Sequence, residues 1–225
     1  MENQTEASAH PRWHLWLAIA LVCGTVIPLL IVTPSDSLER AGLVCSAVCH
    51  RYAGHTIEFA GRLLPLCARC TGTFLGSLLG IIGQVVLLGR RRASSFPSTG
   101  IIAALIGFSL LWAFDGLNSM LDLRSGVSLY APRNELRLVT GALHGLTMSS
   151  LILPLFNFAL LEDPPDERAI RGWRDLGVLV LLNAGLVALV LSDWPPLLYP
   201  LALLSAAGVL TMLTLINSVL VMMVA

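Results

Sequence analysis

The stretch TGIIAALIGFSLLWAF, residues 99–114, runs without a charged side chain, and Asp115-Gly-Leu-Asn-Ser-Met120 extends it with the first charged group. A helix rises about 1.5 Å per residue, so crossing a hydrocarbon core of about 30 Å takes about 20 such residues. No water reaches backbone N–H and C=O groups inside that layer, so the stretch has to close its hydrogen bonds as a helix. Composition agrees with this reading. Apolar residues make up 56% of the 225, charged residues 12%, and mean hydropathy is +0.78; a soluble domain carries about 25% charged residues. The formal net charge is zero, which argues against nucleic acid as a partner and leaves the lipid bilayer as the expected one.

Working outward, similar runs predict further spans: His14 to Val32, Cys67 or Thr71 to Gly89, Thr99 to Met120, Asn134 to Leu161, Asp175 to Ser192, and Leu197 to Ala225. The fold class expected is an all-α polytopic transmembrane bundle of about six spanning helices, with a Cys-rich loop between the first two. Five spans result if the last two segments are irregular. Residues 1–13 read as a polar tail without the features of a cleaved signal peptide, and 14–225 as one transmembrane domain. Residues 35–66 read as a long polar connection.

All basic residues are arginine. With the N-terminus inside, Arg12, Arg90, Arg91, Arg92, Arg168, Arg171 and Arg174 face the cytoplasm, against Arg40, Arg51, Arg62, Arg69, Arg124, Arg133 and Arg137 on the other side. Setting aside those that belong to a polar site favours N-inside and a Cys loop facing outward. Gly72, Gly76 and Gly80 repeat every four residues, and Gly141 and Gly145 do the same; both stripes predict close helix packing.

Two groups of residues carry chemistry. Cys45, Cys49, His50, Cys67 and Cys70 fall close together, while Cys23 lies alone in the first predicted span. Cys67-Ala-Arg-Cys70 is a C-x-x-C pair, able to chelate a metal through two thiolates or to act as a redox dithiol. Cys49 and His50 supply further ligands, so Cys49, His50, Cys67 and Cys70 form the candidate metal set, with zinc as the expected ion. Two disulfides, or a thiol relay exchanging with a quinone, use the same atoms. So does plain burial of small apolar side chains.

The second group lies at membrane depth. Asp115, Asn118 and Asp122 are spaced i, i+3, i+7, and Asn134, Arg137, Gly141 and His144 continue in the same rhythm on the next helix. Ionisable groups at this depth mark function or a buried partner. Asp115, Asn118, Arg137 and His144 are the candidate catalytic residues, with Asp122 and Asn134 as cofactor contacts. Arg137 facing Asp115 or Asp122 would neutralise both. A structural ion pair, a proton relay, or a magnesium site with arginine on a phosphate all fit this pattern.

The residues Cys49-His50, Leu64-Pro-Leu-Cys-Ala-Arg-Cys-Thr-Gly72, Asp115-Gly116, Asn134-Glu-Leu-Arg137 and Thr140-Gly141 together resemble a prokaryotic membrane-protein family catalogued as domain of unknown function 2085. The resemblance covers about Cys49 to Gly145, within a core of about 45–145. After Cys-His this chain has Arg51-Tyr-Ala-Gly-His55, where family members carry Gln and a Pro-x-Arg-Ser stretch. The resemblance implies a prokaryotic inner membrane, no established activity, and a meeting in space of the cysteine group with the two polar stripes. Three functions remain: a metal-dependent membrane enzyme or cofactor-handling protein, a thiol–disulfide relay, or an accessory subunit bound to other membrane subunits.

Overall fold

The computed structural model describes residues 36–59 and 61–224. The polar tail, the predicted span from His14 to Val32 and Cys23 lie outside the described residues. Six α-helices and one two-stranded sheet follow in chain order: α1 (Ser37–Ser46), β1 (Thr56–Phe59), β2 (Arg62–Cys67), α2 (Ala68–Ile82), α3 (Thr99–Ser125), α4 (Asn134–Leu160), α5 (Trp173–Leu191) and α6 (Leu198–Val224). The helix of α2 continues through a π-helical turn, Gly83–Leu87. Among the described residues, five helices are long and apolar enough to cross a membrane: α2 with its π turn, α3, α4, α5, and α6 with the short helix before it. These are the five predicted spans from Cys67 onward, and the last two segments are regular.

The bundle is built around α2 and α4. About half of each is buried (50% and 56%), against 17% of α3 and 22% of α5 and of α6. Close approach explains the pairing. A Cβ on Gly72 would overlap the Leu138 carbonyl, and one on Gly141 would overlap the Arg69 carbonyl. The two glycine stripes therefore interlock backbone to backbone, as small residues permit in lipid. The outer helices turn broad apolar faces outward, with Leu110 and Leu117 of α3 and Leu181 of α5 all exposed.

The predicted polar connection of residues 35–66 is not featureless. Asp36 caps α1 by accepting from the Leu38 N–H at 3.0 Å, and α1 buries Leu38, Ala41, Gly42 and Cys45 at helical spacing. An antiparallel hairpin follows, pairing Phe59 with Arg62 and Thr56 with Cys67, its turn eased by Gly61 at φ +75°. Phe59, Leu64 and Leu66 of the hairpin pack with Leu38 and Cys45 of α1 and with Leu201 and Val209 of α6. Arg62 ties this layer together, donating to Asp36 at 2.7 Å and to the Tyr199 hydroxyl at 3.0 Å. A folded cap thus sits over one end of the bundle and delivers its last strand directly into α2.

The other end is closed by charge. Arg90, just past α2, pairs with Glu167 at 2.9 Å and with Asp175 at 3.3 Å, and Arg171 pairs with Glu167 at 2.7 Å. The five spans alternate in direction. They gather residues 36–67, 126–133 and 192–197 at the capped end and residues 88–98 and 161–172 at the other.

Candidate thiolate centre and polar pocket

Three sulfurs meet where the cap joins the bundle. The Sγ atoms of Cys49, Cys67 and Cys70 all lie within 4.8 Å of one another. Three thiolates around a tetrahedral zinc at about 2.3 Å stand about 3.8 Å apart, so the group is of the right size. Each sulfur arrives for a local reason. Cys67 is the N-cap of α2 and Cys70 lies three residues on, so the C-x-x-C spacing places both thiols at the positive end of one helix. Cys49 leaves the end of α1, its N–H donating to the Cys45 carbonyl at 3.1 Å. The chain then turns through Arg51 at φ +51°, a left-handed conformation that costs a non-glycine residue about 1–2 kcal/mol. That turn points the Arg51 N–H back at the Cys49 sulfur (3.4 Å), and the Cys67 N–H donates to the same atom at 3.3 Å. Two backbone donors on one sulfur suit a thiolate.

The electrostatics match this arrangement. Hydrogen bonds from the Cys67 and Cys70 thiols, and from the two backbone donors, hold the Cys49 thiol well below the ordinary thiol range in spite of its burial. Cys67 is correspondingly pushed up, first by its bond to Cys49. Cys45 lies outside the sulfur triangle in the buried stripe of α1, where burial pushes its thiol up to about 12. His50 is exposed and stands edge-on to His55, ring centroids 6.0 Å apart, so its ring does not join the three sulfurs. Adjacency to Cys49 in the chain sends it outward, because successive residues leaving a helix end point in different directions.

Directly beneath lies the polar group. Arg69, between the two cysteines of the C-x-x-C pair, donates through Nη2 to Asp115 Oδ2, and Tyr130 donates its hydroxyl to Asp115 Oδ1 at 2.8 Å. The predicted pairing of Arg137 with Asp115 or Asp122 is therefore corrected: Arg69 reaches Asp115 first, from the start of α2. Arg137 instead donates to Asn134 Oδ1 at 2.7 Å and to Ser119 Oγ at 3.3 Å, an atom Arg69 also reaches at 3.2 Å. Asn118 holds the loop after α3, accepting from the Leu129 N–H at 2.8 Å and donating to the Tyr130 carbonyl at 3.0 Å. Both oxygens of Asp115 and the amide of Asn118 are engaged in these contacts. Asp122 is half-buried on the same side, close enough to act on the charge of His55.

His144 stands apart from this group. It shares the Arg137 face of α4, but seven residues along a helix is about 10 Å deeper. There it meets Ser109 (Nδ1 to Oγ, 3.1 Å) and stacks on Trp112 with ring centroids 4.3 Å apart. It lines an apolar groove of about 360 Å³ between α3 and α4, together with Ile106, Thr147 and Leu151. Sequence spacing missed Arg69, Ser119, Tyr130 and His55. Arg69 carried a usable signal, as a charge at the mouth of an apolar run; Tyr130 carried none, because its role depends on the fold of a loop.

Residues 49–151 match a family model described as a predicted membrane protein, DUF2085. Over this stretch the chain is similar to that family. The DUF2085 match begins at Cys49 and encloses all three clustered cysteines and the whole polar group, while Cys45 lies outside it. With its five apolar helices, the chain is an integral membrane protein. It is 31% identical over 116 residues to an uncharacterised protein of Methanocaldococcus jannaschii, covering 50% of this chain and 66% of that protein. It is 28% identical over 87 residues to an uncharacterised protein of Methanothermobacter thermautotrophicus, covering 36% of this chain and 75% of that protein. The chain thus spans just under two thirds of the first relative. No solved structure matches.

Proposed function

We propose that this chain is a membrane-embedded metal–thiolate protein, holding zinc on Cys49, Cys67 and Cys70 at one membrane face. The observation that carries the reading is the sulfur triangle itself, built from two separate segments and drawn within 4.8 Å. The two N–H donors on Cys49 favour the thiolate form that a metal needs, and Cys67, pushed up by its bond to Cys49, would release its proton on metal binding. Three protein ligands leave a fourth position for water or an exogenous ligand, the pattern of a reactive zinc site and not of a closed structural one. The Arg69–Asp115–Tyr130 group lies beneath, so a ligand bound there would meet fixed polar groups as it entered the bundle. The even arginine distribution is best read with this capped end outward and the Arg90–Arg92 end in the cytoplasm of a prokaryotic cell.

A second reading has its own support. A Cys49 thiolate flanked by protonated thiols is also the arrangement of a dithiol relay, in which Cys67 and Cys70 close a disulfide by giving two electrons and two protons to a quinone. Metal analysis and thiol counting on one detergent-purified sample separate the two. The metal reading expects about one zinc per chain and cysteines that become alkylated only after chelation. Metal-free protein whose Cys67 and Cys70 alternate between thiol and disulfide on quinone addition would overturn it in favour of the relay.

A further inference from the structure

The polar group brings two guanidiniums to one hydroxyl, and only Arg69 has a carboxylate in direct contact. Arg69 and Arg137 converge on Ser119 Oγ at 3.2 and 3.3 Å, and Arg137 is only 5% exposed. Asp115 is fully engaged, one oxygen by Arg69 and the other by Tyr130. Among the described residues, no carboxylate lies within ion-pair distance of Arg137, whose hydrogen bonds go to neutral oxygens of Ser119 and Asn134. Its Nε and Nη1 make those two bonds, and Nε of Arg69 is buried and unpartnered. An arginine buried without a counter-charge in direct contact is costly. Asp115 is taken by Arg69 and Asp122 acts on Arg137 only from a distance, so the Arg137 guanidinium has a place for a directly bonded anion.

We infer that Arg137, with Arg69 and Asn134 beside it, forms a binding site for a phosphate oxyanion at the capped end of the bundle. Guanidinium matches phosphate because its planar fork presents parallel N–H donors to two oxygens, and a phosphate group accepts several such bonds at once. Arg137 lies in the second turn of α4, so the positive end of that helix adds to the attraction. The location, where α3 ends and α4 begins, is open to two sources of the same chemistry: inorganic phosphate from solution, or the phosphate of a lipid headgroup. The inference stands apart from the zinc reading, since none of the three thiols is a member of the site.

The test is thermal unfolding of the full chain in neutral detergent at fixed ionic strength, titrated with sodium phosphate against sodium chloride. A second arm titrates short-chain phosphatidylglycerol against short-chain diacylglycerol, which lacks the phosphate. The wild type and Arg92→Gln, altered at the opposite end, are expected to be stabilised saturably in at least one arm. Arg137→Gln should need about tenfold or more ligand for the same shift, the loss of one or two charge-assisted hydrogen bonds. Without ligand it should be no less stable than the wild type, because a buried unbalanced charge has gone. Response to phosphate assigns a free anion, and response to the phospholipid alone assigns a headgroup. If Arg137→Gln does not accumulate, Arg137→Lys replaces it, expected to bind several-fold more weakly. No saturable shift in either arm, or an Arg137 variant that responds as the wild type does, would overturn the inference.

Discussion

Asp115 is the residue on which the polar pocket depends. It is 2% exposed, and both of its oxygens are held by side chains that come from other elements. Asp115→Asn leaves Arg69 without its carboxylate, and a loss of about 3–5 kcal/mol of stability is expected, read from thermal or denaturant unfolding in detergent. Tyr130→Phe removes one hydrogen bond from outside the helices and should cost only about 1 kcal/mol. His55 supplies a pH dependence. Its folded pKa is lowered, first by burial and then by Arg137, His50 and Arg69, with Asp122 opposing them. The unfolded chain then binds the proton more readily, so the stability His55 contributes is whole above the ordinary histidine range and is lost as pH falls through it. The gap in unfolding midpoint between wild type and His55→Gln should therefore shift against the wild type between about pH 7.5 and 5.5; parallel curves would reject this role. At this scale the sequence was partly legible. Intramembrane Asp115 and Arg137 announced themselves by cost, but which arginine reaches which carboxylate depends on helix register. That register brings Arg69 in from a third element.

The elements owe their arrangement to small residues. The α2 and α4 glycine stripes were readable as packing faces because a four-residue repeat has one physical use in a lipid-embedded helix. Gly141→Ala should destabilise by about 1–3 kcal/mol, since its Cβ meets the Arg69 backbone, which cannot move without disturbing the pocket. Gly107→Ala, in open space on α3, should be neutral or stabilising by up to about 1 kcal/mol. Equal effects at the two positions, measured by unfolding, would contradict the interlocked pairing. The cap was less legible. In α1, Leu38, Ala41 and Cys45 do recur at helical spacing, but over only ten residues. The hairpin strand β2 contains Pro65, which cannot donate to a ladder and weakens any strand signal. Both elements are held by long-range packing on α6, a contact that local sequence cannot announce.

For the whole molecule, the spans follow from length and hydropathy, and the described five appear where the apolar runs lie. The side each end faces rests on arginine placement, which divides evenly before any judgement about the site. An epitope inserted after Gly126 should be open to antibody on intact spheroplasts, and one after Asp163 only after permeabilisation; the reverse result inverts the protein. The group of cysteines was legible, but which three sulfurs come together was not. C-x-x-C spacing pointed to Cys67 and Cys70, chain adjacency suggested His50, and it is the backbone turn at Arg51 that orients Cys49 inward. The most direct test is X-ray absorption at the zinc edge on the purified full-length chain. Three sulfurs at about 2.3 Å and one lighter ligand are expected, with metal lost in Cys49→Ser, Cys67→Ser and Cys70→Ser but retained in Cys45→Ser and His50→Ala. Protein that binds no stoichiometric zinc, or a zinc shell that survives loss of any of those three cysteines unchanged, would contradict the zinc reading.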